Sequence, residues 1–331
     1  MRVLITGGRG QLGRELVRAL AEAEMETRAS GHQELDVADE SAVLRALEGF
    51  GPSVVIHAAA YTDTAGCEGD PPRAFLVNGQ GTRNVASACR RLGVPLVYIS
   101  SNEVFDGRKG RPAEPYSEED EPGPINVYGR SKLQGERHVQ DLLADFYIVR
   151  TAWLYAHGGE NFPAKVLRAA ANGHPLRMVT DEVASPTWAR ELAQAIVKLL
   201  LYPTRPGQGS HAVGWPVPRH RPSAPYGIYH LTNGGSCSRY EWALKLLELL
   251  GLSVPVEAVT QDQFGHPSRK PAYSELANTR AASLGIVLSP WEEALARSLA
   301  EGENANSVGG VSAEPQGWRG AQQASPSPGA A

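Results

Sequence analysis

The sequence has little of what marks secreted, membrane-spanning or metal-binding proteins. Its three cysteines are odd in number and lack metal-ligand spacing, which indicates reduced thiols and no metal site; they are Cys67, Cys89 and Cys237. No apolar run approaches the ~18 residues of a membrane span, and no basic and apolar leader precedes the first strand-like run. We therefore expect a cytoplasmic protein without a membrane segment.

A strong net charge is also lacking. The formal net charge is −4 over 331 residues, with acidic and basic residues interspersed. This balance excludes the basic footprint of a nucleic-acid-binding protein. The hydrophobic fraction of 42% is sufficient for a sizeable core. The composition is typical of a globular protein whose ligands are small molecules.

Strand-like and helix-like segments alternate along the first half of the chain. The run RVLITGG precedes an amphipathic segment, QLGRELVRALAEA, and the apolar runs SVVIHAAA (53–60) and PLVYISS (95–101) are typical of buried parallel strands. Helical patterns near 72–92 and 131–144 separate these runs from the next strand. The alternation predicts an α/β fold with a Rossmann-like, doubly wound parallel sheet.

The domain organisation follows from where this alternation loosens. We predict an NAD(P)-binding Rossmann domain over 1–152 and a smaller, interleaved substrate-binding domain over 153–301, with a helix at 187–201 that returns to the first domain. Residues 203–226 are rich in proline, glycine and arginine and predict an exposed insertion. Residues 302–331 carry few apolar side chains and predict a disordered tail.

A glycine-rich turn, GGRGQLG, lies between the first strand and the first helix. Its glycines Gly7, Gly10 and Gly13 stand three residues apart. A dinucleotide needs a tight turn, a close backbone approach to its pyrophosphate and close helix–strand packing at this place. The turn therefore predicts dinucleotide binding, although a glycine-rich turn without a ligand remains the alternative.

The tip of the second strand predicts which dinucleotide is bound. A carboxylate there would bond the ribose 2′-hydroxyl and repel a 2′-phosphate, but no acidic residue lies between Glu26 and Glu34. Arg28 and His32 flank the expected tip instead. This pattern favours NADPH, with NADH as the alternative.

A Tyr–Lys pair and a strand-end serine predict reductase chemistry. Tyr128 and Lys132 are four residues apart on a predicted helix, so the ammonium can approach the phenol and lower its pKa toward neutrality. Ser100 and Ser101 end a predicted parallel strand, where open α/β sheets bind ligands. A serine hydroxyl and the phenol could together bind a carbonyl oxygen that receives a hydride.

Together these motifs resemble the extended short-chain dehydrogenase/reductases. Finer motifs are similar to the dTDP-4-dehydrorhamnose reductase family and follow its order from residue 1 to about 299: GGRGQLGREL, ELDVAD, AAAYTDTAGCEGDP, SSNEVFDG, VYGRSKLQGE, RTAWLY, NFPAKVLRAA, TDEVASPTWARELA, GIYHLTNGGSCSRYEWA and KPAYSELAN. The resemblance implies NAD(P)H-dependent reduction of the 4-keto group of a dTDP-4-dehydro-6-deoxyhexose, most closely dTDP-4-dehydrorhamnose to dTDP-L-rhamnose.

The resemblance also implies roles for individual residues. In catalysis, Tyr128 would donate the proton, Lys132 would bond the nicotinamide ribose, and Ser101 would hold the keto oxygen. The cofactor would contact Gly7, Gly10, Gln11, Leu12, Gly13, Asp36, Val37, Ala58, Ala59, Ala60, Thr62, Tyr128 and Lys132. The sugar nucleotide would contact Asn78, Ser101, Asn102, Glu103, Trp153 and Lys270.

The chain departs from the family pattern at four positions. Asn102 and Glu103 stand in place of an aspartate and a tyrosine, Ala65 in place of an aspartate, and Lys270 in place of an arginine. Lysine keeps the charge but not the bidentate geometry of arginine. These changes indicate a shifted sugar preference with the reaction type retained.

Two other functions remain as alternatives. The stretch SSNEVFDG also resembles the regulatory β subunit of methionine adenosyltransferase, which binds NADP(H) and a partner protein. A nucleotide-sugar epimerase or dehydratase on the same fold is the other alternative, although Asn102–Glu103 offers only one of the two acids that a dehydratase uses. The sequence is compatible with a monomer or a homodimer.

Overall fold

The structure is a computed structural model that describes residues 1–109, 114–157, 159–173, 175–203 and 222–308. The strands are β1 (Arg2–Thr6), β2 (Glu26–Ser30), β3 (Val54–His57), β4 (Leu96–Ser101), β5 (Phe146–Thr151), β6 (Leu154–Tyr155), β7 (Leu176–Val179), β8 (Val183–Ala184), β9 (Thr187–Trp188), β10 (Gly227–His230), β11 (Cys237–Ser238) and β12 (Val256–Val259).

The α-helices are α1 (Gln11–Glu22), α2 (Glu40–Phe50), α3 (Thr64–Gly69), α4 (Pro71–Ala74), α5 (Gly81–Leu92), α6 (Val127–Leu142), α7 (Phe162–Ala171), α8 (Ala189–Leu200), α9 (Arg239–Leu249), α10 (Gln261–Phe264), α11 (Thr279–Ser283) and α12 (Trp291–Val308). A π-helical segment, Phe75–Gln80, joins α4 to α5, and a 3₁₀ turn, Asn102–Val104, follows β4.

Six parallel strands form the central sheet, in the order β10-β5-β4-β3-β1-β2. The strands at its centre are apolar on both sides, and all four residues of β3 are buried, as expected for a sheet covered on both faces. The strand order reverses between β1 and β3. The fold therefore has its switch point, where open α/β sheets bind ligands, beyond the carboxyl ends of these two strands.

Helices cover both faces of this sheet. Leu12 and Leu16 of α1 pack with Leu192 and Ile196 of α8 in one core. Helices α2, α5 and α6 pack in a second core on the opposite face. The doubly wound α/β prediction is confirmed by this arrangement.

A smaller lobe lies beyond the carboxyl ends of the strands. Its own core contains Trp242 and Leu246 of α9, Trp291 and Leu295 of α12, and Val166 of α7. Three two-stranded sheets accompany these helices: parallel β6–β9 and β7–β12, and antiparallel β8–β11. The polar end of the main sheet thus faces a second packed body.

Strand β10 and the end of helix α12 bear on the predicted domain boundaries. Strand β10 lies in the 153–301 half but forms an edge of the main sheet beside β5. Helix α12 continues to Val308 and so overlaps the start of the tail predicted from residue 302. Residues 309–331, and 204–221 of the predicted insertion, lie outside the described residues.

Two findings concern membranes and metals. None of the helices in the described ranges has both the length and the apolar character to span a bilayer. No group of three or more His, Cys, Asp or Glu side chains in those ranges is arranged to hold a metal ion.

Candidate active site

A cavity of about 1490 Å³ lies between the carboxyl ends of the sheet strands and the smaller lobe. It is larger than the ~300–1,000 Å³ typical of a pocket for one small ligand, so it has room for a dinucleotide and a second molecule. The predicted site residues on its wall are Gly7, Gly10, Gln11, Leu12, Gly13, Ala58, Ala60, Thr62, Ser101, Asn102, Glu103, Tyr128, Lys132, Trp153 and Lys270.

The glycine turn occupies the switch point, and neither Gly7 nor Gly13 of this turn has room for a Cβ. Gly7 has φ 72°, and a Cβ on it would lie 2.5 Å from the backbone nitrogen of Ala59. A Cβ on Gly13 would lie 2.3 Å from the carbonyl oxygen of Gly7. Gly10 lines the cavity, and α1 begins after it with no side-chain cap. The first amides of α1 are therefore free to bind an anion such as a pyrophosphate.

The tip of β2 differs from the sequence-based expectation. The Arg28 guanidinium lies over the Phe50 ring, 5.0 Å from its centroid, and not at the tip. The residues at the tip are Arg9 and Glu34: Arg9 Nε donates to Glu34 Oε1 over 2.8 Å, and Glu34 Oε2 accepts from the amide of Gly31 over 2.5 Å. The search for a charged residue at the end of the second strand did not identify Arg9 or Glu34, although Arg9 lies inside the glycine motif.

Tyr128 and Lys132 both reach the cavity from the first two turns of α6. The helix begins after Asn126, whose side chain accepts from the amide of Gly129 over 2.7 Å. Lys132 is 2% exposed; its Nζ donates to the carbonyl of Ile99 over 2.7 Å.

Burial controls the protonation of both groups. Burial raises the pKa of Tyr128 above its ordinary value; the Glu103 carboxylate acts in the same direction and a hydrogen bond with Ser101 opposes it. Burial lowers the pKa of Lys132 to about 7. The predicted lowering of the Tyr128 pKa by Lys132 is therefore wrong for this structure, because desolvation and the Glu103 carboxylate both raise that pKa.

The two strand-end serines have different partners. The hydroxyl of Ser100 donates to Glu136 Oε1 over 2.5 Å, and Glu136 forms a buried ion pair with Arg150 at 2.7 Å. Ser100 also lies on the cavity wall, but its hydroxyl is bound by Glu136. Ser101 lines the cavity; its hydroxyl oxygen accepts from the amide of Glu103 over 3.1 Å, and its O–H donates to Asn102 Oδ1 over 3.3 Å.

Two of the four departures from the family pattern contact each other. Lys270 Nζ lies 3.0 Å from Glu103 Oε1, and the two side chains are 11% and 14% exposed. Asn126 Nδ2 donates to Glu103 Oε2 over 2.7 Å. A third departure, Asn102, donates to the Ser274 hydroxyl over 2.7 Å. Glu103, Lys270 and Asn126 thus form one polar network, and Asn102 makes a separate contact with Ser274.

Trp153 lines the cavity in an unusual conformation. Its φ of 41° lies in the left-handed region, which is rare for a bulky residue. The Arg239 guanidinium lies 3.6 Å from the centre of its ring, and the ring stacks at 5.7 Å on Trp242. One aromatic face predicted to meet the sugar is therefore covered by Arg239.

Four predicted contact residues are not on the cavity wall: Asp36, Val37, Ala59 and Asn78. Asn78 is fully buried, and its side chain bonds the backbone of Tyr61 and the Ser131 hydroxyl. The expected direct contact of Asn78 with substrate is thus replaced by a positioning role, in which it holds the loop after β3 against α6.

The fold and the site together define a class of protein. A Rossmann sheet, a glycine turn at the switch point, and a serine, a tyrosine and a lysine on one cavity are the features of a short-chain dehydrogenase/reductase. The chain belongs to the RmlD family, which includes the dTDP-4-dehydrorhamnose reductases that the motifs resemble, because the family model described as the RmlD substrate binding domain matches residues 1–304.

Individual relatives agree with this family. The chain is 36% identical to the spore coat polysaccharide biosynthesis protein SpsK of Bacillus subtilis over 92% of this chain and 99% of that protein. It is 38% identical to a dTDP-4-dehydrorhamnose reductase of Streptomyces griseus, over 90% and 93% of the two chains. A crystal structure of dTDP-4-dehydrorhamnose reductase from Bacillus anthracis in complex with NADP has a TM-score of 0.81 and 35% identity, covering 91% and 99%.

Proposed function

We propose that the protein reduces the 4-keto group of a dTDP-4-dehydro-6-deoxyhexose with NADPH, most closely dTDP-4-dehydrorhamnose to dTDP-L-rhamnose. The observation that carries this proposal is the placement of Ser101, Tyr128 and Lys132 on the cavity that also contains the glycine turn. Membership of the RmlD family and the NADP complex of a relative support the substrate class and the cofactor.

The residues around the cavity suit the cofactor and the reaction. When bound, the nicotinamide cofactor supplies a hydride to the carbonyl carbon. The hydroxyls of Ser101 and Tyr128 hold the carbonyl oxygen, and the phenol proton passes to that oxygen as the alcohol forms. The phenol of Tyr128 carries its proton at neutral pH, as a proton donor must, since a tyrosine titrates near ~10 without a shift and burial raises this pKa. Lys132 binds the ribose next to the nicotinamide.

The polar network around Glu103 is the proposed determinant of sugar preference. Glu103 is held by Lys270 and Asn126, yet it lines the cavity beside Tyr128. A fixed carboxylate accepts hydrogen bonds and donates none, so it favours a sugar with a hydroxyl next to the carbonyl. Asn102, the residue before it, donates to the Ser274 hydroxyl and so ties the same turn to the smaller lobe.

The setting of the reaction is part of the proposal. We infer that the protein works in the cytoplasm as a monomer or a homodimer. All three cysteines are buried thiols outside any disulfide, which is consistent with a reducing compartment.

Oxidation of NADPH and NADH, followed at the nicotinamide absorbance, tests the function. The substrate, a dTDP-4-dehydro-6-deoxyhexose, is generated in place from dTDP-glucose. Tyr128→Phe should lower turnover by about 10²-fold or more with little change in cofactor affinity. A matched control is Tyr147→Phe, which removes a buried phenol that bonds the carbonyl of Ala224, away from the cavity.

The outcomes separate the reductase from its alternative. Steady oxidation that is lost in Tyr128→Phe and kept in Tyr147→Phe supports the reductase. Tight cofactor binding without oxidation of any 4-keto sugar would contradict it and favour a regulatory NADP-binding subunit.

A further inference from the structure

One carboxylate lies on the cavity wall beside the groups that are proposed to react. Glu103 follows Ser101 by two residues, and both line the cavity together with Tyr128. Gly129, the residue after Tyr128, has no room for a Cβ against the carbonyl oxygen of Glu103. The turn that carries Glu103 is therefore packed against the first turn of α6. After burial, this carboxylate is the next cause of the raised pKa of Tyr128, as a nearby negative charge would be.

Two donors hold the Glu103 carboxylate in a fixed position. Lys270 Nζ lies 3.0 Å from its Oε1 and 3.3 Å from its Oε2, and Asn126 Nδ2 donates to Oε2 over 2.7 Å. The Glu103 side chain is 14% exposed. Among the residues that the structure describes, Oε1 accepts from Lys270 alone, so it keeps a lone pair for one more partner. A molecule in the cavity can supply that partner.

A 4-keto sugar brings an acidic hydrogen to this carboxylate. Hydrogens on the carbons next to a carbonyl are acidic, because the carbonyl oxygen carries the charge that remains after proton loss. A 4-keto-6-deoxyhexose has two such carbons: C3, which carries a hydroxyl, and C5, which carries the methyl group. The hydroxyl from which Glu103 is proposed to accept is the one on C3. The hydrogen on C3 is thus the acidic hydrogen that lies close to Glu103.

We propose that Glu103 is a general base that removes the C3 hydrogen of the 4-keto sugar, so that the protein enolises its substrate as well as reducing it. The C3–H bond breaks, Glu103 takes the proton, and the electron pair of that bond forms a C3–C4 double bond. The carbonyl π pair moves to the oxygen, to which the hydroxyls of Ser101 and Tyr128 donate. Return of a proton to C3 restores the ketone, so the step needs neither an oxidant nor a reductant. The inference rests on the proposed function for its substrate.

Proton NMR in D2O tests the base without the reduction. The protein is saturated with NADP⁺, which has no hydride to give, and with a dTDP-4-dehydro-6-deoxyhexose made beforehand in H2O from dTDP-glucose. The natural protein should replace the C3 hydrogen by deuterium faster than a protein-free blank and leave the C5 hydrogen in place. Glu103→Gln should lower this exchange by about 10²-fold or more, as expected for loss of a general base. Exchange that is no faster than in the blank, is confined to C5, or survives in Glu103→Gln would overturn the proposal.

Two further variants control for charge and for folding. Glu182→Gln removes another buried carboxylate from the same wall, which is paired with Arg239 at 3.3 Å. It should change the exchange rate by less than about threefold. Glu103→Asp keeps a charge opposite Lys270 but withdraws the carboxylate by one methylene, so exchange should fall by about 10-fold or more. The base role is wrong if Glu103→Asp exchanges C3 at the full rate.

Oxidation of NADPH by the same proteins separates this inference from the proposed function. With saturating sugar, Glu103→Gln should keep turnover within about tenfold of the natural protein, because Tyr128 still donates its proton. A merely structural role of Glu103 would instead lower exchange and reduction together. Oxidation of NADPH without C3 exchange would overturn the base and leave the reductase. C3 exchange without oxidation of NADPH would support the base and contradict the reductase.

Discussion

Lys132 is a buried charged group whose position serves chemistry at a cost to stability. Its ammonium donates to the Ile99 carbonyl and lies 4.3 Å from the centre of the Tyr98 ring. These contacts offset only part of the desolvation, because burial still lowers its pKa to about 7 from an ordinary value of 10.5. A buried group with a strongly shifted pKa is typical of a functional site.

We predict that Lys132→Met stabilises the fold at low pH while abolishing activity. Between pH 7 and 10.5 the unfolded chain binds more protons at this lysine than the folded protein, so the stability of the natural protein rises with pH. Below pH 7 the full cost of the buried charge remains. The variant should gain about 2 kcal/mol in free energy of unfolding at pH 6, after the lost hydrogen bond is subtracted.

Urea unfolding at pH 6 and at pH 9.5 measures this gain, which should shrink or reverse at the higher pH. Lys198→Met, on the exposed side of α8, is the control and should show no such dependence on pH. Equal stability changes of Lys132→Met at the two pH values would contradict the buried-charge explanation.

Sequence spacing is sufficient to find the reacting side chains but not their surroundings. The YxxxK spacing correctly places Tyr128 and Lys132 on one cavity. It does not reveal that Glu103 and burial together raise the phenol pKa, because those terms come from residues brought together only by folding. Arg9 was missed for the same reason, since its partner Glu34 is 25 residues away.

Helices and strands were predicted well where the local pattern alone decides them. The apolar runs that became β1, β3 and β4 needed no knowledge of their neighbours. Strand β10 was harder, because its pairing with β5 joins segments about eighty residues apart. The π-helical segment at 75–80 was not predicted. In it Asn78 bonds Tyr61 and Ser131, and these hydrogen bonds join parts of the chain that a local sequence pattern does not connect.

The same substitution in two helices should have opposite effects. Gly13→Ala in α1 should destabilise the fold by about 1–3 kcal/mol and weaken NADPH binding, because the new Cβ would overlap the carbonyl oxygen of Gly7. Gly49→Ala in α2 meets no atom within 4 Å and should stabilise by about 0.5–1 kcal/mol through helix propensity. Thermal unfolding and cofactor titration check both variants. A stabilised Gly13→Ala variant would contradict the prediction and show that the glycine turn can shift to make room for the Cβ.

Polar contacts at the cavity join the two packed bodies of the molecule. Asn102 bonds Ser274, Asn126 bonds the carbonyl of Arg269 over 2.9 Å, and Glu103 pairs with Lys270. Each of these contacts lies at the cavity, so the two bodies meet where the sugar is proposed to bind. The division at residue 152 stays a prediction, since α8 and β10 return to the sheet.

The Glu103–Lys270 pair should couple the stability of the two bodies. Its atoms are 3.0 Å apart and mostly buried, so removal of one partner leaves the other charge poorly solvated. We predict that Glu103→Gln and Lys270→Met each cost about 2–4 kcal/mol, and that the double variant costs about 1–3 kcal/mol less than their sum. The Arg18–Glu22 pair, exposed on α1, should couple by only about 0.3–0.5 kcal/mol in the same urea experiment.

Measurement of KM for the nucleotide sugar in the same variants tests whether the Glu103–Lys270 pair also affects sugar binding. Because the pair lines the cavity where the sugar is proposed to bind, each single variant should raise KM for the nucleotide sugar by about 10-fold and leave cofactor affinity within about twofold. Restoration of KM in the double variant would mean that the pair acts only by closing the two bodies together. A KM that stays high in the double variant is the expected result, since the Glu103 carboxylate would still be missing as an acceptor for the sugar hydroxyl.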